Sequence, residues 1–167
     1  MSSHLDLHQY ELIDGELIRK MTKNHPPIRA VMLLIEWLRS VFPGRSVGQE
    51  ISIDVGYEDN PTSEPEPDAV VLTQSLLDLA PRPKATDVRL VVEVSGGTLA
   101  VDLNLKAVLY ARAEIPEYWV LDIINRRLIV HRRPANGTYQ DVMAYAEQES
   151  VAPIAAPTAT VIAGTLF

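Results

Sequence analysis

The spacing of hydrophobic and polar positions changes several times along the chain, and each change marks an element. In "YELIDGELI", residues 10–18, apolar and polar positions alternate around Asp14-Gly15, a dipeptide suited to the two-residue turn of a hairpin. A hairpin is therefore expected from Tyr10 to Arg19. After Pro26-Pro27, Ile28, Val31, Ile35, Leu38 and Phe42 recur at three- and four-residue intervals until Pro43-Gly44, the pattern of one amphipathic helix. "GQEISIDVGY" then alternates, with Ile51, Ile53 and Val55 facing one way and Glu50, Ser52 and Asp54 the other, as a strand does. "EDNPTSEPEP" is an acidic, proline-rich loop, and at Asp68 it passes into the short buried strand "AVVL". A polar, proline-rich stretch leads to a longer apolar strand, Val88 to Ser95.

Gly96-Gly97-Thr98 breaks that strand, and Val101 to Ala113 has helical composition and spacing, ended by Ile115-Pro116. "EYWVLDIINRRLIVHRRP" reads as two strands turning near Asn125, and Tyr139 to Tyr145 as a further strand. The tail from Val151 to Phe167 has no clear period and is left unassigned. One strand–helix–strand crossover within a mostly antiparallel series predicts an α/β (α+β) domain, with a mixed central sheet flanked by helices and an N-terminal hairpin. The 167 residues suit a single domain, with a core over about 10–145.

Charge adds to this picture. The net charge of −7 argues against a protein that coats nucleic acid through a broad basic surface, but not against an enzyme that acts on it. Glu50 to Asp68 carries seven acids and no base, whereas Arg112, Arg126, Arg127, Arg132 and Arg133 form a basic group. Acids and bases are either two sides of a metal-dependent phosphate site or solvated patches that never meet. There is no cysteine, so any metal must be held by oxygen or histidine. No apolar run approaches the roughly 20 residues of a membrane span, and the N-terminus lacks a basic start followed by an apolar segment. A cytoplasmic protein that does not enter the membrane is expected.

The candidate chemistry begins at Glu93, a carboxylate inside an apolar strand, which must be offset by a basic partner or a divalent cation. Asp68 enters the preceding strand one loop earlier. If the strands are neighbours, roughly 4.8 Å apart, both carboxylates reach one cation, and with a backbone carbonyl and waters they form the oxygen-rich shell that Mg²⁺ or Mn²⁺ prefers. Taken alone, on its spacing, Asp68 reads first as a turn or cap residue after proline. Asp102, Lys106 and Tyr110 are spaced by four and share a helix face. Lys106 either serves a metal-bound phosphate or forms a plain pair with Asp102.

"EPDAVVL", "LVVEVSGGT" and "DLNLKAVLYARAEIPEYWVLD", with "YELIDGELI" and His25 ahead of the first helix, resemble the Uma2 (DUF820) family within the PD-(D/E)XK nuclease superfamily. The likeness runs from about Tyr10 to Tyr139. It implies a restriction-endonuclease-like fold and a Mg²⁺- or Mn²⁺-dependent endonuclease that hydrolyses DNA. In it Asp68 and Glu93 would be metal ligands, the Val94 carbonyl a further ligand, and Lys106 the catalytic lysine. In the superfamily's plain motif the lysine stands where this chain has Ser95; here, as in the family, it is displaced to the following helix. Glu50, Asp102, Tyr110 and His25 would be auxiliary residues.

The chain departs from the family at Ser95-Gly96-Gly97-Thr98, where relatives commonly have Ser-Pro-Ser-Thr, and two glycines loosen a turn beside the site. A homodimer is a further expectation from the resemblance. Arg126, Arg127, Arg132 and Arg133 either hold DNA phosphates or form the solvated face of an edge strand. Tyr118-Trp119 is read as strand packing rather than a base-stacking platform, and His4, His8 and His131 show no metal spacing. The rival reading is a nuclease-like domain that no longer cuts and binds nucleic acid or protein instead. Sugar hydrolysis by a carboxylate pair finds no support, because nothing suggests a sugar-stacking cleft.

Overall fold

The N-terminal hairpin forms as its turn chemistry dictates. Strands β1 (Tyr10–Ile13) and β2 (Glu16–Arg19) pair antiparallel, and Asp14 and Gly15 both take positive φ, 48° and 81°. Both angles belong to the tight turn that matches strand twist. In this computed structural model residues 6–20 and 25–167 are described. Helix α1 (His25–Val41) starts with its two prolines at positions where a missing N–H costs nothing. It buries Ala30, Val31, Leu34, Ile35, Leu38 and, just beyond its end, Phe42. Ile28, expected on that stripe, lies at its rim and is 42% exposed.

The central sheet has six strands in the order β3 (Val47–Gly48), β4 (Ala69–Leu72), β5 (Val88–Ser95), β6 (Glu117–Asp122), β7 (Arg127–Ala135) and β8 (Thr138–Ala146). β5 and β6 are parallel and every other neighbouring pair antiparallel, so the sheet is mixed, as expected. The parallel step is bridged by helix α2 over 99–112. It is built from Leu99–Val101, a π-helical turn Asp102–Lys106, and Ala107–Arg112.

The two sheet faces bury different partners. Leu90, Val92 and Val94 join Trp119 and Leu121 beneath α1, where Trp37 stacks on Trp119 at 5.9 Å. Val91, with Tyr118 and Val120, packs beneath α2 and the hairpin residue Ile13. Tyr118 and Trp119 are both fully buried, one on each face, as the packing reading requires.

The structure differs from expectation in two segments. Of the alternating stretch 50–55, Glu50 sits in a turn at φ 51°, Ile53 and Val55 are buried, and the segment enters no sheet, making one isolated parallel bridge from Asp54 to Lys84. Its N–H groups at Glu50, Ile53 and Asp54 bond to the carbonyls of Pro67, Pro65 and Pro83, and prolines have no N–H to return. The unassigned tail is ordered: β9 (Ser150–Val151) pairs with β10 (Val161–Ile162), and Val151, Val161, Ala163 and Leu166 enter the core under α1. Glu117 secures this junction. Fully buried, it accepts the Trp119 indole N–H at 2.9 Å, Arg132 Nε at 2.9 Å and the Ile154 N–H at 2.8 Å.

Candidate active site

Register brings the two motif carboxylates together. Ala69 pairs with Val92, so Asp68, one residue earlier, stands at the register position of Glu93 on the same face. Asp68 is held there by the Val94 N–H, which donates to its Oδ2 at 2.8 Å. Glu93 is 4% exposed.

Helix α2 supplies the cation. Lys106 Nζ lies 3.0 Å from Glu93 Oε1, and the Tyr110 hydroxyl donates to the same oxygen at 3.0 Å. Asp102 Oδ1 is 3.6 Å from Nζ, while its Oδ2 accepts the Thr98 hydroxyl at 2.7 Å. The Tyr118 hydroxyl donates to the Asp102 carbonyl at 3.0 Å, pinning the π turn to the sheet. A π turn is a local widening of the helix frequently found at functional sites, and here it carries Asp102 and Lys106, its two buried residues, into the same site.

A third element closes the site from above. Glu11 of β1 is 6% exposed, and its Oε1 is 2.5 Å from Lys106 Nζ. Its Oε2 accepts the Glu66 N–H at 3.2 Å. Lys20, at the end of β2, pairs with Glu66.

Three carboxylates, Glu11, Glu93 and Asp102, therefore share one buried ammonium. Burial pushes the Glu93 pKa well above its ordinary value; Lys106 works against that, while Glu11, Asp68 and Asp102 reinforce it. Burial alone would lower the Lys106 pKa, but Glu93, Glu11 and Asp102 outweigh it and hold the amine above the usual lysine value. Tyr110 is pushed up by burial and by Glu93, so it remains a hydroxyl donor.

The cleft over these groups is lined by six acids (Glu11, Glu50, Glu66, Asp68, Glu93, Asp102) and three bases (Arg19, Lys20, Lys106). Its volume is about 40 Å³, room for a few water-sized particles. Sites that enclose small organic ligands run to roughly 300–1,000 Å³. Among the described residues no group of three or more His, Asp or Glu side chains converges as a metal cage. The arrangement that does fit a divalent ion is smaller: Asp68 and Glu93 side by side, all-oxygen donors, the rest of the shell water, which is how Mg²⁺ is commonly held. Among the described residues that line the cleft acids outnumber bases, surroundings that suit such an ion.

The other expected residues divide. Glu50 lines the cleft from a turn at φ 51°. His25 opens α1, but a role for its side chain falls outside the described residues, as does His4. The Ser95-to-Thr98 turn keeps its polar contact, 3.4 Å between the two hydroxyls.

Each of the late arginines is paired with an acid of the protein itself. Arg126 pairs with Glu147 and Arg127 with Asp122 at one end of the sheet; Arg132 pairs with Glu117 and Arg133 with Asp141 at the other. Of the basic group only Arg112 meets the acidic loop, through Asp59, and it also binds Asp14 of the hairpin turn. Glu11 is the site residue that sequence reasoning missed. Its one signal was a shared strand face with Ile13, a carboxylate alongside a core residue.

The family model named Uma2 and described as "Putative restriction endonuclease" matches residues 4–161. Among solved structures the chain is similar to a "putative nuclease belonging to DUF820" from Anabaena variabilis ATCC 29413. The TM-score is 0.73 at 15% identity, over 95% of this chain and 89% of that one, a likeness of fold. None of the curated proteins matches the chain.

Proposed function

The chain belongs to the Uma2 family, and from that premise we propose that it is a divalent-metal-dependent endonuclease that hydrolyses phosphodiester bonds in DNA. The observation that carries this reading is the register of Asp68 beside Glu93, with the Lys106 ammonium 3.0 Å from Glu93 on the same face. Asp68, Glu93 and the Val94 carbonyl would hold one Mg²⁺ or Mn²⁺. Such an ion supplies Lewis acidity toward the phosphate and makes a water acidic enough to attack at neutral pH.

The remaining steps belong to the chain's own groups. Lys106, kept an ammonium by the carboxylates around it, donates to a phosphate oxygen and offsets the charge that builds up as the pentacovalent phosphate forms. Tyr110 fixes Glu93 Oε1 so that the carboxylate does not rotate out of the site. Asp102, tied by Thr98, borders Lys106 from within its own helix. A homodimer would set two such sites against one duplex, and sedimentation checks that part separately.

The test is cleavage of plasmid, linear and single-stranded DNA with Mg²⁺ or Mn²⁺, alongside Mn²⁺ binding, for wild type and for Asp68→Asn, Glu93→Gln and Lys106→Met. Metal-dependent cutting lost in all three variants, with Mn²⁺ binding lost in the first two, is the expected result. A wild type that neither cuts nor binds Mn²⁺ would instead favour the non-cutting, nuclease-like module.

A further inference from the structure

The carboxylate closest to the Lys106 ammonium comes from outside the central sheet. Glu11 Oε1 is 2.5 Å from Nζ, nearer than Glu93 at 3.0 Å or Asp102 at 3.6 Å. Both Glu11 oxygens are engaged, since Oε2 accepts the Glu66 N–H. The hairpin that carries Glu11 is itself fixed to the loop below it. The Glu64 N–H donates to the Leu12 carbonyl at 2.7 Å, and the Gly15 N–H to the Thr62 carbonyl at 2.7 Å. The Asp14 N–H reaches the Ser63 hydroxyl at 3.0 Å, and Arg112 holds the Asp14 carboxylate at 2.7 Å. Glu11 is thus presented by a braced element.

An ammonium has three N–H donors. Two have carboxylates within hydrogen-bonding distance, Glu11 and Glu93. Among the described residues the third faces Asp102, whose Oδ1 at 3.6 Å is beyond ordinary hydrogen-bond length and whose Oδ2 is engaged by Thr98.

We propose that Glu11 is a positioning residue for the reaction: together with Glu93 it fixes two N–H directions of Lys106 and leaves the third for a phosphate oxygen of the strand being cut. The catalytic part of this statement rests on the nuclease reading above. Without Glu11 the amine pivots about Glu93 and its aim is lost. Misplacement of a reacting group by ~1 Å costs about 100-fold in rate.

The experiment compares wild type, Glu11→Gln, Lys106→Met and the double variant, with two readouts. The first is chemical labelling of Lys106 by an amine-acylating reagent, quantified by mass spectrometry, which needs no turnover. The second is kcat and KM for DNA cleavage. In Glu11→Gln, labelling of Lys106 rises several-fold and kcat falls roughly 10- to 100-fold. KM stays within about twofold, because in the proposed role Glu11 acts on the aim of Lys106 and not on the binding of DNA. In the Lys106→Met background the same substitution changes residual kcat less than about twofold, because Glu11 acts through the lysine.

A purely structural Glu11 would instead give additive losses and a shifted KM, and that result overturns the proposal. Unchanged labelling overturns it as well. Should Glu11→Gln not fold, Glu11→Asp, which keeps the charge and withdraws it by one methylene, carries the same comparison. A wild type that cuts no DNA removes the nuclease reading together with Glu11's catalytic role. An active wild type with additive losses removes Glu11's role alone.

Discussion

Replacing Lys106 by Met removes the buried cation that Glu11, Glu93 and Asp102 share. The side chains of Lys106, Glu11, Glu93 and Asp102 are 6%, 4%, 5% and 2% exposed, so water cannot take the place of the lost ammonium. Breaking a buried pair by deleting one partner costs about 3–5 kcal/mol. For a domain of this size each kcal/mol moves the midpoint by about 2–4 °C, so Lys106→Met melts about 6–20 °C below wild type at pH 8 in EDTA. A cation that binds the folded cluster restores stability, by about 2.7 kcal/mol at a hundredfold excess over its Kd, or about 5–11 °C.

Acid has a parallel effect. The folded-state pKa of Glu93 is raised, so its ionised form destabilises the fold above that pKa and the deficit shrinks as pH falls toward 5. Thermal melts at pH 8 and pH 5, in EDTA and across a Mn²⁺ titration, measure all three effects. A variant within about 2 °C of wild type in EDTA, or one that Mn²⁺ stabilises no more than wild type, refutes the reasoning that one ammonium holds these carboxylates together.

Two further outcomes concern the scaffold. Glu117→Ala leaves the Trp119 and Ile154 N–H groups and Arg132 without their buried acceptor, and lowers stability by about 3–5 kcal/mol while Mn²⁺ binding stays as in wild type; an unchanged melting point argues against this assignment. His131 is 3% exposed between the rings of Tyr118 and Tyr139, and burial lowers its pKa, only partly opposed by its contact with the Tyr118 carbonyl. A depressed folded pKa means that stability is full above the unfolded value near 6.5 and falls as pH drops through the folded one, so His131→Phe flattens the melting-point slope below pH 6.5, and identical slopes contradict the prediction.

Much of the site was legible because it obeys local rules. Glu93 stands out as a charge in an apolar strand, Asp68 as the residue where a proline-rich loop enters the neighbouring strand, and Lys106 through its four-residue spacing to Asp102 and Tyr110. Glu11 was not legible, because alternation in a hairpin says which residues share a face but not which face is covered. Only docking against α2 buries it. Stretch 50–55 shows the reverse: its period-two pattern matches the burial of Ile53 and Val55, but a ladder needs a partner whose N–H groups return the bonds. Pro65, Pro67 and Pro83 lack them, so among the described residues the Ala85 N–H alone donates back, to the Asp54 carbonyl. The two-residue strands of the tail are too short to show a period. The arginines were visible as charges, whereas their neutralisation by Glu117, Asp122, Asp141 and Glu147 depends on strand register and turn geometry.

The hairpin's place over the cleft also sets an order for assembly. β1 and β2 can close as soon as their short turn is made, but Glu11 acquires its ammonium only when α2, most of the domain later in the chain, has been made and has docked on the sheet. Contacts of such long sequence separation form late, because the intervening chain must be ordered first. Until then Glu11 is a solvated acid on a hairpin with an unsatisfied core face. Completion of the candidate active site therefore waits on a long-range closure of the fold, and the same contact that aims Lys106 reports that the hairpin and α2 have docked.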